Sequence, residues 1–218
     1  MLSDFVPVLA QWPLLLKGLL LTLMLTAIAT PLGVATGIAC GWLRIHGNAP
    51  IRFCVGAYLE LMRNTPFIIQ LFFIFFGLPA LGLKLDTTTA CVLAMSLNLG
   101  AYCTEIVRAG IQATPRGHIE AAESLALNRW QVFMHVVLPP ALKRVWPALI
   151  GQIILVMLGS AVCSQISMEE LTYSANLISS RTFRNFEAYI LIAAIYLLLA
   201  VLMRRFLNWL GPRWIFGR

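Results

Sequence analysis

The sequence predicts an all-α integral membrane protein with five transmembrane helices. Apolar residues occupy 60% of its 218 positions and charged residues only 11%, and the mean hydropathy is +0.83. Such a composition is typical of a chain that faces lipid, because a soluble domain needs more charged surface. Five segments also reach the roughly 17 to 25 residues with which an apolar helix spans the hydrocarbon layer. We therefore expect a single transmembrane domain over residues 1–218.

The expected spans lie at about residues 18–43, 67–83, 87–107, 145–165 and 186–203. Residues 53–62 prolong the second span on its N-terminal side, and we expect Pro66 to kink it because proline cannot donate the hydrogen bond of a helix interior. In the first span Gly33, Gly37 and Gly41 recur at every fourth position and share one helix face. This spacing predicts that another helix packs closely on that face.

The distribution of Lys and Arg predicts an orientation. With an outer N-terminus, the cytoplasmic segments hold Arg44, Arg52, Arg63, Arg108, Arg116, Arg129, Lys143, Arg144, Arg204, Arg205, Arg213 and Arg218, and the outer segments hold Lys17, Lys84, Arg181 and Arg184. The positive-inside rule therefore favours an outer N-terminus and a cytoplasmic C-terminus. It also explains the net charge of +7 without a nucleic acid, since the basic residues are dispersed among the spans.

No pattern in the sequence predicts a catalytic centre or a metal site. The histidines lack HExxH spacing and no GxSxG is present, so an intramembrane enzyme is the weaker alternative. A passive channel or scaffold subunit is another alternative. No GxxxxGK[ST] loop is present, so ATP and Mg²⁺ would have to be bound by a partner chain. The cysteines stand singly, in odd number and without CxxC spacing, which favours packing roles for Cys40, Cys54, Cys91, Cys103 and Cys163.

The segment between the third and fourth spans is too long for a turn and has a helical composition. We expect a short helix that begins near Ile119 and places Glu120 in its first turn, beside the positive end of the helix dipole. Ile119, Ala122 and Ala126 would form a narrow apolar face suited to docking. A second helical stretch after Asn128 is expected to end at Pro139 and Pro140, which cannot supply the amide proton of an interior turn.

This segment resembles the signature of permease subunits of bacterial ABC importers: EAA, three residues, Gly, nine residues, Ile, one residue, Leu-Pro. The matching positions hold Glu120, Ala121, Ala122, Leu138 and Pro139, with Val136 in place of the isoleucine and Ala126 in place of the glycine. Alanine is the better helix former, so we expect the second exchange to be mild for a helix. It would disfavour a tight turn or a close backbone approach there.

Three further stretches are similar to patterns of the polar amino-acid branch of these permeases, which handles histidine, glutamine, glutamate and arginine. They are MRNTPFIIQLFFIFFG (62–77), similar to RGTPLLVQLFFIYFG; AYCTEIVRAGIQATPRGHIEAA (101–122), similar to AYxAEIxRGGIxxIPxGQxEAA; and RTFRNFEAYI (181–190), similar to xTFxPFExYL. The resemblance implies a type I ABC importer permease fold in the bacterial inner membrane. It also implies two permease subunits, two cytoplasmic ATPase subunits, a periplasmic solute-binding protein and a polar amino acid or opine-like derivative as cargo.

The resemblance further implies a cytoplasmic coupling helix within residues 114–140, seated in a groove of the ATPase. The coupling residues would be Gly117, Glu120, Ala121, Ala122, Ala126, Leu138 and Pro139. A solvated helix on the bilayer surface is the alternative. Where the family often carries a Lys-Asp-Thr-Ser-like run, this chain has Leu158, Gly159, Ser160 and Ala161. We therefore hypothesise a heterodimer whose other permease subunit supplies the missing polar contacts.

Polar side chains at membrane depth are candidates for the substrate pathway, with ordinary bonding between helices as the alternative role. They are Gln70, Asn98, Tyr102, Ser160, Ser164 and Gln165. The spacing of Glu105 with Arg108, and of Glu60 with Arg63, predicts two ion pairs near the inner surface, the second of which could also act as a gate. The outer residues Glu169, Glu170, Arg181 and Arg184 either meet the binding protein or lie in a solvated loop.

Overall fold

The computed structural model describes residues 5–215, so Arg218 of the basic set lies outside the described residues. Within residues 5–215 the chain is helical and contains no β-strand, which confirms the all-α prediction. The α-helices are α1 (Val6–Leu9), α2 (Trp12–His46), α3 (Ala49–Asn64), α4 (Phe67–Phe72), α5 (Thr87–Gln112), α6 (Arg116–Ser124), α7 (Arg129–Gln131), α8 (Leu138–Gly159), α9 (Leu171–Thr182) and α10 (Asn185–Leu210).

Four helical stretches in the described residues are long and apolar enough to cross a membrane. They are Trp12–His46, Thr87–Gln112, Arg129–Ile166 and Asn185–Arg213. A fifth crossing is made if the bent pair Ala49–Asn64 and Phe67–Leu81 is taken as one span. The bend between these two helices is 114°, so residues 53–62 do not prolong the second span as a straight helix.

The bend follows from the proline at its centre. Thr65 has φ −118° and ψ 144°, and Pro66 has φ −61° and ψ 141°, so both residues are extended. The ring of a proline clashes with a helical conformation of the residue before it, which is why α3 ends at Asn64. The kink expected at Pro66 is therefore a full break between two helices.

The glycine face of α2 packs directly on α5. A Cβ atom added to Gly33 would lie 2.7 Å from Leu99 Cβ, and one added to Gly37 would lie 2.4 Å from Cys103 Cβ. Gly41 faces Val107 one turn further along. Any larger residue at the first two positions would push the helices apart, so the close packing predicted from the spacing is confirmed.

Helix α5 lies at the centre of the bundle, where it packs against α2, α3, α4 and α8. It contributes Met95 and Leu99 to a buried apolar cluster that also includes Leu25, Leu71 and Leu149 of its neighbours. All five cysteines are free thiols, and Cys91, Cys103 and Cys163 are buried in the bundle. Helix α5 thus contacts most of the long helices of the bundle.

Helix α9 was not expected from the sequence, and it is held by a buried carboxylate. Glu170 is fully buried and caps the helix, since it accepts a hydrogen bond from Tyr173 N at 2.8 Å and another from Tyr196 Oη at 2.6 Å. The backbone N of Leu171 donates to Thr22 Oγ1 of α2 at 3.2 Å. Burial raises the pKa of the Glu170 carboxyl above its ordinary value, although hydrogen bonds to it act in the opposite direction.

The acidic residues that the sequence analysis placed on the outer side therefore do not form a free surface. Glu170 is fully buried and cannot meet a partner. Glu169 forms an ion pair with Lys17 of α2, and Arg184 lies 3.7 Å from Glu187 in the first turn of α10. The prediction of a solvated or partner-binding Glu170 was wrong, because the carboxylate is needed to cap a helix that the hydropathy pattern did not reveal.

Candidate functional site

The segment that carries the EAA residues begins its helix earlier than expected. Helix α6 starts at Arg116, because Pro115 is extended with φ −60° and ψ 134° and occupies the N-cap. Gly117 therefore lies in the first turn, whereas Glu120 lies beyond it, so the predicted helix start near Ile119 was wrong. Glu120 and Ala121 are exposed, while Ala122 is 4% exposed.

The narrow apolar face of α6 is turned toward the chain itself. Ala122 belongs to a buried cluster with Val107, Ile111, Phe133 and Val137, and half-buried Ile119 packs against the same cluster. This face therefore packs α6 onto the bundle and is not available to a partner, contrary to the expectation of a docking face. What α6 offers to a partner is the opposite surface, where Glu120, Ala121 and Leu125 are exposed.

Helix α6 ends in a tight turn at the residue that replaces the signature glycine. Ala126 has φ 59°, in the left-handed region, and its N donates to Glu123 O at 2.9 Å while Leu127 N donates to Ala122 O at 3.4 Å. This pair of bonds is the Schellman arrangement, which favours glycine at the left-handed position. The expectation that Ala126 continues a helix was wrong, and alanine is strained there because its Cβ crowds the backbone.

The stretch after the turn does not end at the two prolines. Asn128 starts α7 with a capping box to Gln131, a π-helical turn follows over Val132–Val137, and Pro139 and Pro140 lie in the first turn of α8. The first amides of a helix need no acceptor within it, so proline is tolerated there. The helical stretch Arg129–Ile166 is therefore continuous, and the predicted stop was wrong.

This segment is also fastened to the ends of the membrane helices. Arg144 Nη1 donates to Ala113 O at 2.8 Å, which ties α8 to the residue at which α5 ends. The Trp42 ring of α2 makes an edge contact with Trp130 at 5.5 Å and a tilted contact with Phe133 at 6.1 Å. As a result α6, the π-helical turn and the ends of α2 and α5 form one packed unit.

A second site lies beside the break between α3 and α4. It is a cavity of about 410 Å³ lined by residues of three regions: the break, α5 and α8. Its polar side chains are Thr65, Asn98, Tyr102 and Gln152. Gln152 was missed in the sequence, although it stands seven residues before Gly159 and so shares a face of α8 with it.

Of the six pathway candidates, two line this cavity and the others do not. Asn98 and Tyr102 belong to its wall. Gln70 lies behind Asn98, from which it accepts a hydrogen bond at 3.0 Å, and it donates to Met62 O at 2.8 Å and so caps the carbonyl end of α3. The remaining three bond locally, Ser160 to Met157 O, Ser164 to Ala161 O, and Gln165 to Ser164.

An ionic cluster adjoins the cavity through Tyr102, which lines both. Glu105 accepts a hydrogen bond from Arg108 Nη2 at 2.6 Å, which confirms the predicted pair. Arg63 Nη1 lies 4.0 Å from Glu105 Oε2, and no ion pair with Glu60 is found among the described residues. The prediction of a Glu60–Arg63 pair was wrong because the carboxylate of α5 takes that position.

Two bacterial transport permeases are similar to this chain. The chain is 35% identical over 171 residues to the probable glutamine ABC transporter permease protein GlnM of Bacillus subtilis (strain 168), covering 78% of this chain and 79% of that protein. It is 31% identical over 212 residues to the glutamine transport system permease protein GlnP of Escherichia coli (strain K12), covering 96% and 97%.

A solved structure is also similar, the crystal structure of an amino acid ABC transporter with histidines. It shares 37% sequence identity and a TM-score of 0.84 with this chain, and the match covers 94% of this chain and 95% of that one. The fold is thus the type I importer permease fold. The model of the binding-protein-dependent transport system inner membrane component matches residues 29–216. The chain is a membrane protein and belongs to the family of binding-protein-dependent transport system inner membrane components.

Proposed function

We propose that this chain is one transmembrane half of an ATP-driven importer that carries a polar amino acid or a derivative of one. The observation that carries the proposal is the course of α5. One part of this helix lines the cavity beside the break between α3 and α4 with Asn98 and Tyr102, and its end packs under α6 through Val107 and Ile111. A displacement of α6 by a partner would therefore move the wall of the cavity.

The partner that displaces α6 is an ATPase subunit on the cytoplasmic side. The exposed surface of α6 around Glu120 and Leu125, which is 77% exposed, supplies a charged and an apolar contact for it. ATP and Mg²⁺ bind to that partner, because this chain has no phosphate-binding loop. The orientation follows the positive-inside rule, with the N-terminus periplasmic and the C-terminus cytoplasmic.

A second permease subunit closes the cavity. Leu155 lines the cavity and is still 61% exposed, and a Cβ added at Gly159 would meet no atom within 4 Å. An apolar side chain exposed in a cavity wall is expected where another chain packs. We favour a different permease as this partner, since Leu158 and Gly159 replace the charged residues of the family pattern. A periplasmic solute-binding protein delivers the cargo.

Charge reversal at Glu120 tests the coupling role. The complex of this chain with its second permease, ATPases and binding protein is reconstituted in vesicles, and uptake of L-glutamine and L-arginine is measured. Glu120→Lys is expected to lower ATP-driven uptake at least ten-fold, because the exposed contact with the ATPase is lost. The matched control Lys143→Glu reverses an exposed charge away from the exposed face of α6 and should retain uptake. Full uptake by Glu120→Lys would overturn the coupling role.

The cargo role of the cavity is tested at Gln152. This amide lines the cavity and has no hydrogen-bond partner among the described residues. Replacing it by leucine keeps the size but removes both polar groups, so the solute concentration for half-maximal uptake should rise about ten-fold. Gln165→Leu, outside the cavity, is the control and should transport normally. Equal uptake curves for Gln152→Leu and the unmodified protein would refute the assignment.

A further inference from the structure

A separate cavity lies between α6 and the ends of α2 and α5. Its volume is about 340 Å³. Apolar walls come from Ile45 at the end of α2, Ile111 at the end of α5, Ile119 of α6 and Phe133 of the π-helical turn. The remaining lining residues include six that are polar or charged, His46, Gln112, Thr114, Arg116, Glu123 and Arg129. A cavity of this size with both apolar and polar walls suits a small molecule that has an apolar and a charged part.

One polar group in this wall is buried and unsatisfied. Thr114 is 8% exposed, and its Oγ1 has no hydrogen-bond partner in the part of the chain that the structure describes. A buried hydroxyl without a partner costs free energy, so natural structures rarely keep one. The similar family pattern has isoleucine at this position, which would have avoided the cost. We therefore expect the hydroxyl to form a hydrogen bond with a molecule from outside the chain.

Charges of both signs surround the same cavity. Arg116, Arg129 and Glu123 line it, and none of the three takes part in an ion pair or a side-chain hydrogen bond within residues 5–215. All three side chains are also exposed, so they stand at the open rim of the cavity. Two guanidinium groups and a carboxylate placed there complement a ligand that carries both a carboxylate and an ammonium group.

We propose that this cavity binds an α-amino acid with an aliphatic side chain of about the size of leucine. The carboxylate of the ligand accepts hydrogen bonds from Arg116, Arg129 and the Thr114 hydroxyl, and its ammonium group donates to Glu123. The aliphatic side chain packs on the walls formed by Ile45 and Phe133. The cargo proposed above is polar and is assigned to the other cavity, whereas Ile45, Ile111, Ile119 and Phe133 offer an aliphatic side chain a wall here, so this is a different ligand.

The position of the cavity gives the ligand a regulatory effect. A bound molecule would join α6 to the ends of α2 and α5, the elements through which ATPase closure would reach the transport cavity. Occupancy would therefore reduce the mobility of α6 and lower ATP-driven uptake. This effect, and the cytoplasmic location of the cavity, rest on the proposed function; binding of the amino acid does not.

Equilibrium binding of radiolabelled L-leucine to the complete complex in nanodiscs, without the binding protein, tests the proposal. The unmodified complex should bind leucine at one site per copy of this chain. Thr114→Val and Arg129→Gln should each weaken binding at least ten-fold, whereas Thr114→Ser, which keeps the hydroxyl, should retain it. The controls Lys143→Gln, outside the cavity, and Gln152→Leu, in the transport cavity, should leave binding unchanged.

Two analogues separate a zwitterion site from a simpler one. 4-Methylpentanoate lacks the ammonium group and 3-methylbutylamine lacks the carboxylate, so each should bind at least ten-fold more weakly than leucine. Binding of 4-methylpentanoate or inorganic phosphate as tight as that of leucine would overturn the proposal in favour of a general anion site. Absence of leucine binding, or its loss in Gln152→Leu, would also overturn it.

Uptake measured on the same preparation keeps the two proposals apart. If the complex carries out ATP-driven uptake but binds no leucine at this cavity, only the present inference fails. If it binds leucine with the expected dependence on Thr114 and Arg129 but shows no uptake, the proposed transport function fails and the site stands. Addition of leucine on the ATPase side should lower uptake in the unmodified complex and leave it unchanged in Thr114→Val.

Discussion

The two ends of α2 are built in contrasting ways. Near Thr22, where α9 packs, a buried carboxylate and its neighbours satisfy one another through a connected set of hydrogen bonds. Near Trp42, where α6 packs, the indole Nε1 and the Thr114 hydroxyl are buried without a partner among the described residues. Left-handed non-glycine residues flank both helices, Ser167 and Phe183 beside α9 and Ala126 beside α6, so the unpaired polar groups make the difference. Satisfied networks hold one geometry, whereas unpaired polar groups collect where a structure moves or binds. The α9 end is the fixed part and the α6 end is the adjustable part.

The largest effect is expected at Glu170. Replacing this residue by leucine removes the cap of α9 and the acceptor of the Tyr196 hydroxyl, so the free energy of unfolding should fall by about 3 kcal/mol. Thermal unfolding of the detergent-solubilised chain measures the change. Glu169→Leu is the matched control, because Glu169 is exposed and pairs only with Lys17; it should cost less than about 1 kcal/mol. A similar loss for both variants would show that the α9 end is not fixed by its buried carboxylate.

The same carboxyl predicts a pH dependence of stability. Because burial raises the pKa of Glu170 in the folded state, the folded protein holds this proton to a higher pH than the unfolded chain does. The stabilising contribution is therefore fully present below the ordinary pKa and is lost as the pH rises through the raised one, by up to about 1.4 kcal/mol per pH unit. Unfolding free energies measured across this window should fall with increasing pH, and Glu170→Gln should flatten the curve. A rise with pH would mean that the hydrogen bonds outweigh burial.

Much of the fixed architecture could be predicted from the sequence, because it depends on local and periodic signals. Long apolar runs indicate where helices cross the membrane, and the glycines of α2 indicate which face packs on α5. Glu105 and Arg108 pair as their spacing requires. Helix α9 could not be found in this way, because it is short, partly polar and stabilised by Tyr196 and Thr22 from distant helices.

The adjustable end was predicted less well, since its geometry depends on contacts that a sequence pattern does not contain. The left-handed turn at Ala126 requires bonds back to Ala122 and Glu123, and a rule of helix propensity cannot detect it. Proline stops a helix when its ring meets the preceding turn, whereas here Pro139 and Pro140 follow a π-helical turn and lie in the first turn of α8. The free hydroxyl of Thr114 became apparent only from its burial.

The strain at the adjustable end can be relieved at Ala126. Glycine adopts the left-handed conformation without a Cβ clash, so Ala126→Gly should raise the free energy of unfolding by about 0.5 to 1 kcal/mol after its larger chain entropy is deducted. Hydrogen exchange of the Leu127 amide should slow accordingly. Ala121→Gly, in the exposed interior of α6, is the control and should have the opposite sign, a loss of about 1 kcal/mol. Destabilisation by both glycines would contradict the strained turn.

The smallest change in the free energy of unfolding is expected at Thr114. Its sign distinguishes the α6 end of α2 from the α9 end. Without a ligand the hydroxyl has no partner among the described residues, so Thr114→Val should stabilise the chain by roughly 0.5 kcal/mol through removal of an unsatisfied group. The same exchange at Thr104, whose hydroxyl donates to Gly100 O at 2.7 Å, should cost about 1 kcal/mol. Leucine should raise the unfolding temperature of the unmodified complex and not that of Thr114→Val, because a ligand stabilises only the folded protein that binds it.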